Sequence, residues 1–417
     1  RARYVAEHLA QHADVEVLTT CATNYITWSN DHSPGIEHLN GVPVRRFKVS
    51  RERNVEDFGR RSVQVFEKQH SVAAELHWLR SEGPTCPALI NHLRRHETDY
   101  DYCIFFSFRY YHAYHGIRVT AGRAVLVPTA ERDPVLGLRI FGDCFRGVRA
   151  LMYNSHEERA LIQDVSNNAS VPNVVVGIGS EVPTDPQPAR FRRATGIEGP
   201  TIIYVGRIDE NKGCHELFEY FQRYARTAPE LTLVLVGNPV MPVPDHPQIR
   251  HLGFVSDLEK FDAMAAAELL VMPSYYESLS MVTLEAWALG RPVIANGGCD
   301  VLAGQCVRSN AGLFYEGYEE FAEALHTILA HSALRRALGE NGRTYFNTHY
   351  TWPVIEQKYL GMLERLEQEG GSFVNHLNPL PGWFGRHRRD LPPGQEVVAR
   401  LPTGPAPLAP GTEVGNR

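Results

Sequence analysis

Two glutamates eight positions apart, Glu277 and Glu285, are the residues whose type and spacing point most directly to chemistry. The apolar run 269–273 before them is typical of a buried strand, and residues 282–289 are typical of a helix. Glu277 would lie on the loop at the carboxyl end of the strand, where open α/β sheets bind ligands, and Glu285 inside the next helix. Acidic residues near a helix start also occur as dipole-compensating surface groups. The pair alone therefore leaves a ligand site and a solvated surface equally open.

A second charged segment follows an earlier strand. Gly206, Arg207 and Lys212 come directly after the apolar run 201–205 and before a helix that we expect to begin near Cys214. Gly206 permits a tight turn, while two cations and a helix amino terminus together favour an anion such as a diphosphate. Each charge-assisted contact would contribute about 1.5–3 kcal/mol. For this segment alone, an exposed turn with two solvated cations is the alternative.

The elements that must position these residues alternate along the chain. Short apolar runs separated by helical segments predict an α/β fold of doubly wound parallel sheets covered by helices. The predicted strands are residues 15–19, 42–47, 103–106, 124–128, 151–154, 174–176, 201–205, 231–236, 251–254, 269–273, 292–295 and 312–315. Residues 177–194 have the glycine and proline content of a linker. Two similar domains facing each other across a cleft follow from this order.

Four segments are predicted from this pattern. They are a first domain over residues 1–180, a second over 181–345, a helix within 346–371 that packs back on the first domain, and a disordered tail over 372–417. The tail is rich in proline and glycine and lacks apolar periodicity. Since the chain opens with a helical pattern at residues 4–10, we expect that the strand and tight loop that normally begin a doubly wound domain are missing.

The composition of the chain indicates the class of protein and excludes some kinds of partner. With 417 residues, 43% hydrophobic and 22% charged, the chain has the profile of a soluble globular protein of two domains. The formal net charge of −6 argues against nucleic acid. No apolar run approaches the roughly 18 residues that span a bilayer. The seven cysteines form no C-x-x-C pair, which argues against a disulfide framework or a zinc site and favours the cytoplasm. Arg388 and Arg389, near Trp383 and Phe384, allow a peripheral contact with the inner face of a membrane, although a solvated basic patch is favoured.

The two charged segments, in this order, resemble the retaining glycosyltransferases of GT-B fold, specifically family 4. The surrounding sequence also matches the family pattern, at residues 204–207, 212–213, 233–237, 272–274, 284–286 and 290–295. The resemblance is strong from about residue 201 to 330 and weak in the first half. It implies two Rossmann-like domains and the transfer of a sugar from a UDP- or GDP-type donor to a glycan, glycolipid or small-molecule acceptor. It also implies retention of anomeric configuration without a metal or cofactor.

The same resemblance implies a role for each matching residue. Arg207 and Lys212, after Gly206, would hold the donor diphosphate, and with Glu277 they form the implied catalytic set. Glu277 would bind hydroxyls of the transferred sugar, and Glu285 the ribose hydroxyls. Further donor-binding residues are implied as backbone amides or base-flanking side chains, namely Leu279, Ser280, Met281, Phe254 and Val255. Cations and amides would stabilise the leaving group where a metal does so in other enzymes.

The chain departs from the family pattern at two places. Ser278-Leu279-Ser280 stands where relatives have Gly-Phe-Gly. In the first half, Glu131 follows Pro128-Thr129-Ala130 where many relatives carry a histidine, so a negative charge would face the diphosphate unless Arg132 compensates. A catalytically silent GT-B module that binds nucleotide sugar or glycan is therefore the alternative. A GT-B phosphorylase or epimerase is a third, without an added constellation in its favour.

Two weaker signals favour structural interpretations. Asp99-Tyr100-Asp101 spells the D-x-D that holds Mn²⁺ or Mg²⁺ in another glycosyltransferase fold. It precedes a predicted strand where such a site would follow one, so solvated aspartates are favoured. The aromatic residues between 105 and 114 should belong partly to the core, with their end lining an acceptor pocket.

Overall fold

A computed structural model of the chain describes residues 2–369 and 394–399. The chain divides into two compact units, residues 1–377 and 378–417. All of the sheets lie in the first unit. In the second unit the described residues form one helix, α16 (Gly394–Ala399).

The first half of the larger unit contains seven strands and seven helices. The strands are β1 (Val17–Thr20), β2 (Gly35–Leu39), β3 (Val42–Phe47), β4 (Cys103–Phe106), β5 (Ala124–Val127), β6 (Ala150–Tyr153) and β7 (Asn173–Val175). The helices are α1 (Ala2–Leu9), α2 (Val55–Glu67), α3 (Val72–Glu82), α4 (Pro87–Arg95), α5 (Tyr111–Val119), α6 (Arg139–Arg146) and α7 (His156–Ser166). The strands form two sheets, ordered β1-β3-β2 and β4-β5-β6-β7. The second of these sheets is wholly parallel.

The second half carries one six-stranded parallel sheet with the order β10-β9-β8-β11-β12-β13. Its strands are β8 (Thr201–Val205), β9 (Thr232–Val236), β10 (Ile249–His251), β11 (Leu269–Met272), β12 (Val293–Asn296) and β13 (Gly312–Tyr315). Its helices are α8 (Pro188–Thr195), α9 (Cys214–Ala225), α10 (Asp257–Ala266), α11 (Met281–Ala288), α12 (Asp300–Ser309), α13 (Tyr318–Ala330) and α14 (Ser332–His349). The strand order reverses between β8 and β11.

Helices on both faces explain the composition of the central strands. Strands β8, β11 and β12 are buried at every position, and they read as continuous apolar runs because neither face of the sheet meets water. Large apolar side chains, including Trp287 of α11 and Phe221 of α9, fill the space between sheet and helices.

The last helix of the larger unit, α15 (Trp352–Gln368), returns to the first half. It contacts α1 and β7. The Tyr102 hydroxyl, just before β4, donates to the Leu363 carbonyl at 3.4 Å, and the Arg149 guanidinium donates to the Leu366 carbonyl at 3.1 Å. After the chain has completed the second half, this helix therefore packs on the first-half sheet that contains β4 to β7.

The structure differs from the predicted strands at two places. The predicted strand 251–254 is instead Ile249–His251, so Phe254 lies in the following loop. β2 was not predicted, because all five of its residues are exposed and it pairs antiparallel with β3 at an edge. The predicted disordered tail lies outside the described residues except for α16. Trp383, Phe384, Arg388 and Arg389 are also outside them.

No described helix combines the length and the apolar character needed to cross a bilayer. All seven cysteines are free, and six of them are buried.

Candidate functional site

The predicted donor residues lie where the strand order of the second-half sheet reverses. The loop after β8 and the loop after β11 leave adjacent parallel strands at the same edge of the sheet. Helices that follow these two strands pack on opposite faces, which opens a crevice between the loops. Such a crevice is the usual ligand site in open α/β sheets.

A glycine brings the first loop against the second. Gly213, the residue before α9, has φ +69, and a Cβ there would lie 2.0 Å from the Pro273 carbonyl oxygen. A side chain at this position is excluded by both the backbone conformation and the space. The amino terminus of α9 is consequently held beside the loop that carries Glu277, and its dipole adds to the attraction for an anion.

Asp209 organises the two cations of the first loop. Its carboxylate makes an ion pair with the Arg207 guanidinium and accepts a hydrogen bond from the Lys212 backbone N–H at 2.9 Å. The Tyr204 hydroxyl donates to the Arg207 carbonyl at 2.7 Å. Asp209 is buried, whereas more than half of the Arg207 side chain is exposed. The buried Asp209 therefore fixes the loop, while the Arg207 side chain remains largely exposed to solvent.

Lys212 and Glu277 join the two loops directly. The Lys212 ammonium donates to Glu277 Oε1 at 2.6 Å. Glu277 is the more enclosed partner, with 10% of its side chain exposed against 29% for Lys212. Arg207, Lys212 and Glu277, predicted from two separate stretches of sequence, therefore belong to one network connected through Asp209.

The amino end of α11 lies next in the same loop. Ser280 is the N-cap, and its Oγ accepts a hydrogen bond from the Thr283 backbone N–H at 3.3 Å. Leu279 and Ser280 are buried, and Met281 is half-buried at the first turn. Serine in place of the family's second glycine supplies a cap for the helix.

Glu285 lies on α11 and makes a separate set of contacts. Its Oε1 accepts hydrogen bonds from the Lys260 ammonium at 3.2 Å and from the Ser180 hydroxyl at 3.3 Å. Burial raises the pKa of the Glu285 carboxyl, and the Lys260 ammonium opposes that rise. A cavity of about 400 Å³ adjoins this carboxylate, and its lining also includes Met281 and Asp257.

The two residues expected to flank the base follow β10. Phe254 is 81% exposed and Val255 is half-buried, and both precede Ser256, the N-cap of α10. A large apolar side chain this exposed is unusual in the region and offers a face for stacking. Lys260, which contacts Glu285, lies one turn into the same helix.

Glu131 lies in the first half, in the loop after β5. The backbone of Thr129 in this loop has φ +50, and Ala130 N–H donates to the buried Glu158 carboxylate at 2.6 Å. Glu131 itself is half-buried. The Arg132 guanidinium, the expected compensating charge, donates to Asp300 of the second half at 2.8 Å.

Further contacts connect the two halves near this loop. Glu157, at the start of α7, makes a two-point ion pair with Arg308 of α12, whose longer contact is 3.0 Å. The ion pairs of Arg132 and Glu157 bring the segments after β5 and β6 of the first half against α12 of the second half.

Sequence reasoning missed Asp209, Lys260 and Ser180. Asp209 had a signal, because it stands between the two cations in a loop assigned to an anion. Lys260 and Ser180 had none, since their contacts with Glu285 are made over 25 and 105 positions of sequence.

The D-x-D does not form part of this crevice. The Asp99 carboxylate contacts the His96 imidazole at 2.8 Å in a turn before β4, at the opposite end of the strand from the ligand edge. In the described part of the chain, no three histidine, cysteine, aspartate or glutamate side chains come together as metal ligands.

Comparison with known proteins identifies a family pattern in the second half. Residues 199–331 match the family model described as Glycosyl transferases group 1, which is less than half of the chain. A glycogen synthase from Mycobacterium tuberculosis is 28% identical over 201 residues, covering 43% of this chain and 48% of the relative. A D-inositol 3-phosphate glycosyltransferase from Kribbella flavida is 32% identical over 197 residues, covering 41% and 46%. The chain thus spans about half the length of the curated relatives it matches.

Solved structures extend the likeness over most of the chain. A sucrose-phosphate synthase from Thermosynechococcus elongatus superposes with a TM-score of 0.65 at 18% identity, covering 88% of this chain and 93% of that one. Anabaena HepE in complex with UDP-glucose gives a TM-score of 0.59 at 17% identity, with coverage of 78% and 87%. The fold is therefore GT-B, and residues 199–331 carry the pattern of the glycosyl transferases group 1 family.

Proposed function

We propose that this chain is a retaining glycosyltransferase that moves a sugar from a UDP- or GDP-type donor to a sugar or lipid-linked acceptor held by residues 1–180. The observation that carries the proposal is the single network of Arg207, Asp209, Lys212 and Glu277 at the strand-order reversal. The names of the relatives, a glycogen synthase and a D-inositol 3-phosphate glycosyltransferase, support the reaction class. A neighbour of the same fold has been solved with UDP-glucose.

In the proposed complex, the donor diphosphate competes with Glu277 for Lys212. The Lys212 ammonium now satisfies a carboxylate at 2.6 Å, so an incoming phosphate would share or replace this contact. Glu277 would then accept hydrogen bonds from hydroxyls of the donor sugar, and Arg207 would turn its exposed guanidinium to the second phosphate. Fixed cations and the α9 amino terminus stabilise charge that grows on the leaving group.

The proposed chemistry needs no covalent intermediate with the protein. The acceptor oxygen bonds to the anomeric carbon on the face that the nucleotide leaves, while the bond from that carbon to the phosphate oxygen breaks. The acceptor proton passes to the departing phosphate oxygen, and the nucleoside diphosphate is released. Metal independence is part of this proposal, and activity that EDTA removes would contradict it.

A second function is favoured by one observation. Glu131 lies half-buried in the loop after β5, at the position where the family resemblance implies a histidine that contacts the donor. A carboxylate facing a diphosphate disfavours the bound donor. A GT-B module that binds nucleotide sugar or glycan without transfer is therefore the competing proposal.

One experiment separates the two proposals. Melting temperature is first measured with UDP-, GDP- and ADP-sugars, and release of nucleotide is then followed with the best donor and a panel of monosaccharide and lipid-linked acceptors. Transfer predicts both a rise in melting temperature and acceptor-dependent nucleotide release. A rise without release for every acceptor would favour the binding module. No rise with any donor would contradict the transferase and a module that binds nucleotide sugar. We also propose a cytoplasmic setting with peripheral membrane contact, which binding to anionic vesicles would test.

A further inference from the structure

The ribose-binding carboxylate of the proposed donor site is already held by a lysine. Lys260 lies on α10, and its ammonium is 3.2 Å from both oxygens of Glu285. At Oε1 the contact is a hydrogen bond, which is joined by one from Ser180. At Oε2 it is an ion pair only, and among the described residues no group donates a hydrogen bond to this buried oxygen.

The unfilled acceptor marks where a ligand hydroxyl would bind. Buried polar atoms in folded proteins nearly always have a hydrogen-bond partner, so this oxygen is able to accept a hydrogen bond from a bound ligand. The cavity of about 400 Å³ adjoins Glu285 and is wide enough for a pentose ring. A hydroxyl that donates to Oε2 would complete the coordination of the carboxylate.

That contact requires an ionised Glu285. A protonated carboxyl carries an O–H on one oxygen and accepts fewer and weaker hydrogen bonds, so it would bind a donating ribose hydroxyl less tightly. Burial raises the pKa of Glu285 and thus works against ionisation, while the neighbouring ammonium works in its favour.

Lys260 is itself fixed in place. Its ammonium makes an ion pair with Asp257 at 3.1 Å and lies 4.1 Å from the centre of the Phe261 ring. Ser256 and Glu259 form a capping box at the start of α10, which anchors the helix that carries the lysine. The ammonium is consequently directed at Glu285 before any ligand arrives.

We propose that Lys260 is a positioning residue that keeps Glu285 ionised and aimed at the ribose of the donor. This inference rests on the proposed function, because it assigns a role within the same donor site. The charged and titratable groups that line the cavity beside Glu285 are Lys260 and Asp257 of α10, Glu181 of the linker and Tyr4 of α1. Lys260 is the cation of this set, so its removal leaves Glu285 among acidic and neutral neighbours.

The test measures how tightly the full chain binds nucleotides that have or lack ribose hydroxyls. Dissociation constants of UDP and GDP, and of their 2′,3′-dideoxy forms, are determined by calorimetry from about pH 5 to about pH 8. The ratio between the ribose and dideoxy forms cancels the titration of the phosphates. The variants are Lys260→Met, Lys260→Arg and, as a matched control, Lys68→Met, which removes an exposed lysine outside the crevice.

In the wild type, the preference for the ribose form should fall as the pH drops through the raised pKa of Glu285. Lys260→Met should weaken the ribose form at least about tenfold near pH 7 and leave the dideoxy form nearly unchanged. The fall in preference should also move to higher pH, because removal of the cation raises the pKa of Glu285 further. Lys260→Arg and Lys68→Met should retain the wild-type profile.

Other outcomes overturn the inference in distinguishable ways. If the wild type binds nucleotide and Lys260→Met retains both the ratio and its pH dependence, the role of Lys260 is wrong while the proposed function stands. Equal losses for the ribose and dideoxy forms would reduce Lys260 to a structural residue. A wild type that binds neither UDP nor GDP would overturn both proposals. If Lys260→Met fails to fold, Lys260→Gln replaces it, since glutamine keeps a donor without the charge.

Discussion

The two halves of the molecule differ in how exposed the charged residues are near the carboxyl ends of their strands. In the second half, Lys212 and Arg207 are paired with carboxylates but keep 29% and 57% of their side chains exposed. In the first half, the Arg53–Glu82 ion pair is 5% and 1% exposed, and Glu82 also holds Arg109 at 2.8 Å. Charges that can exchange partners suit ligand binding, whereas charges sealed from water fix the backbone.

The first-half network ties together loops at the ends of several elements. Arg53, in the loop after β3, donates to the Tyr25 carbonyl in the loop after β1 at 3.1 Å. Arg109, after β4, also donates to Asp133, after β5, at 3.1 Å. We therefore expect this edge to act as a rigid support for the acceptor, and the second-half edge to act on the donor.

The largest expected effect is the loss of stability on removal of Glu82, which tests whether the buried ion pairs of the first half fix the backbone. Glu82→Ala leaves the buried Arg53 guanidinium without its carboxylate and Arg109 with Asp133 alone, so the free energy of unfolding in urea should fall by about 3–5 kcal/mol. Glu219→Ala, on the exposed face of α9, is the matched control and should change it by less than about 0.5 kcal/mol. Where Glu82→Ala still folds, UDP or GDP should bind as in the wild type; weaker binding at unchanged stability would refute the division of roles.

The next effect is the loss of turnover on removal of Lys212, which tests whether the partly exposed cations of the second half act on the donor. Lys212→Ala removes a cation that would meet the transition-state charge, so kcat/KM should fall by about 10²–10³-fold. The free energy of unfolding should fall less than in Glu82→Ala, because Glu277, which loses its cation, is more exposed than Glu82. Acceptor-dependent nucleotide release provides the measurement, with Lys68→Ala as the control. A variant that retained wild-type turnover would show that Lys212 serves only to hold Glu277.

The two glutamates should separate under mutation. Glu285→Ala removes the acceptor for the ribose and should weaken nucleotide binding about tenfold or more. Glu277→Ala should leave nucleotide binding nearly intact and reduce turnover, since its partner is the transferred sugar. Calorimetry with UDP or GDP, alongside turnover with the intact donor, distinguishes them. Similar losses in both measurements for both variants would count against the separate roles.

The smallest effect concerns Glu131, which stands where the family resemblance implies a histidine. Glu131→His removes a negative charge that the proposed donor complex places near the diphosphate, so donor affinity should rise by roughly twofold to fivefold. Because screening weakens such charges, the gain should shrink as salt is added. A loss of affinity would instead indicate that Glu131 contacts the donor favourably.

The fold was largely predictable from the sequence where burial is complete. Strands β8, β11 and β12 are covered on both faces, so their apolar runs gave bounds within one residue of those observed. β10 was displaced because only Ile249 of its three residues is buried, and the apolar pattern carries no information about the others. β2 is entirely exposed, although Asn40-Gly41, both at positive φ, is a hairpin signal between β2 and β3.

The site was predictable only as far as local pattern reaches. Arg207, Lys212 and Glu277 each follow a strand, and the sheet edge brings such residues together in any fold of this kind. The partners of Glu285 depend on where the linker and α10 pass over α11. The roles of Ser180 and Lys260 therefore could not be predicted from the sequence, because their contacts with Glu285 depend on the packing of distant segments.

The most direct test is a crystal structure of the chain with UDP or GDP, whichever raises the melting temperature more. The account predicts the diphosphate between Arg207 and Lys212, the ribose hydroxyls donating to Glu285, and the Lys212 ammonium shared between Glu277 and a phosphate oxygen. A nucleotide bound elsewhere, or bound here with both cations turned away from its phosphates, would contradict it.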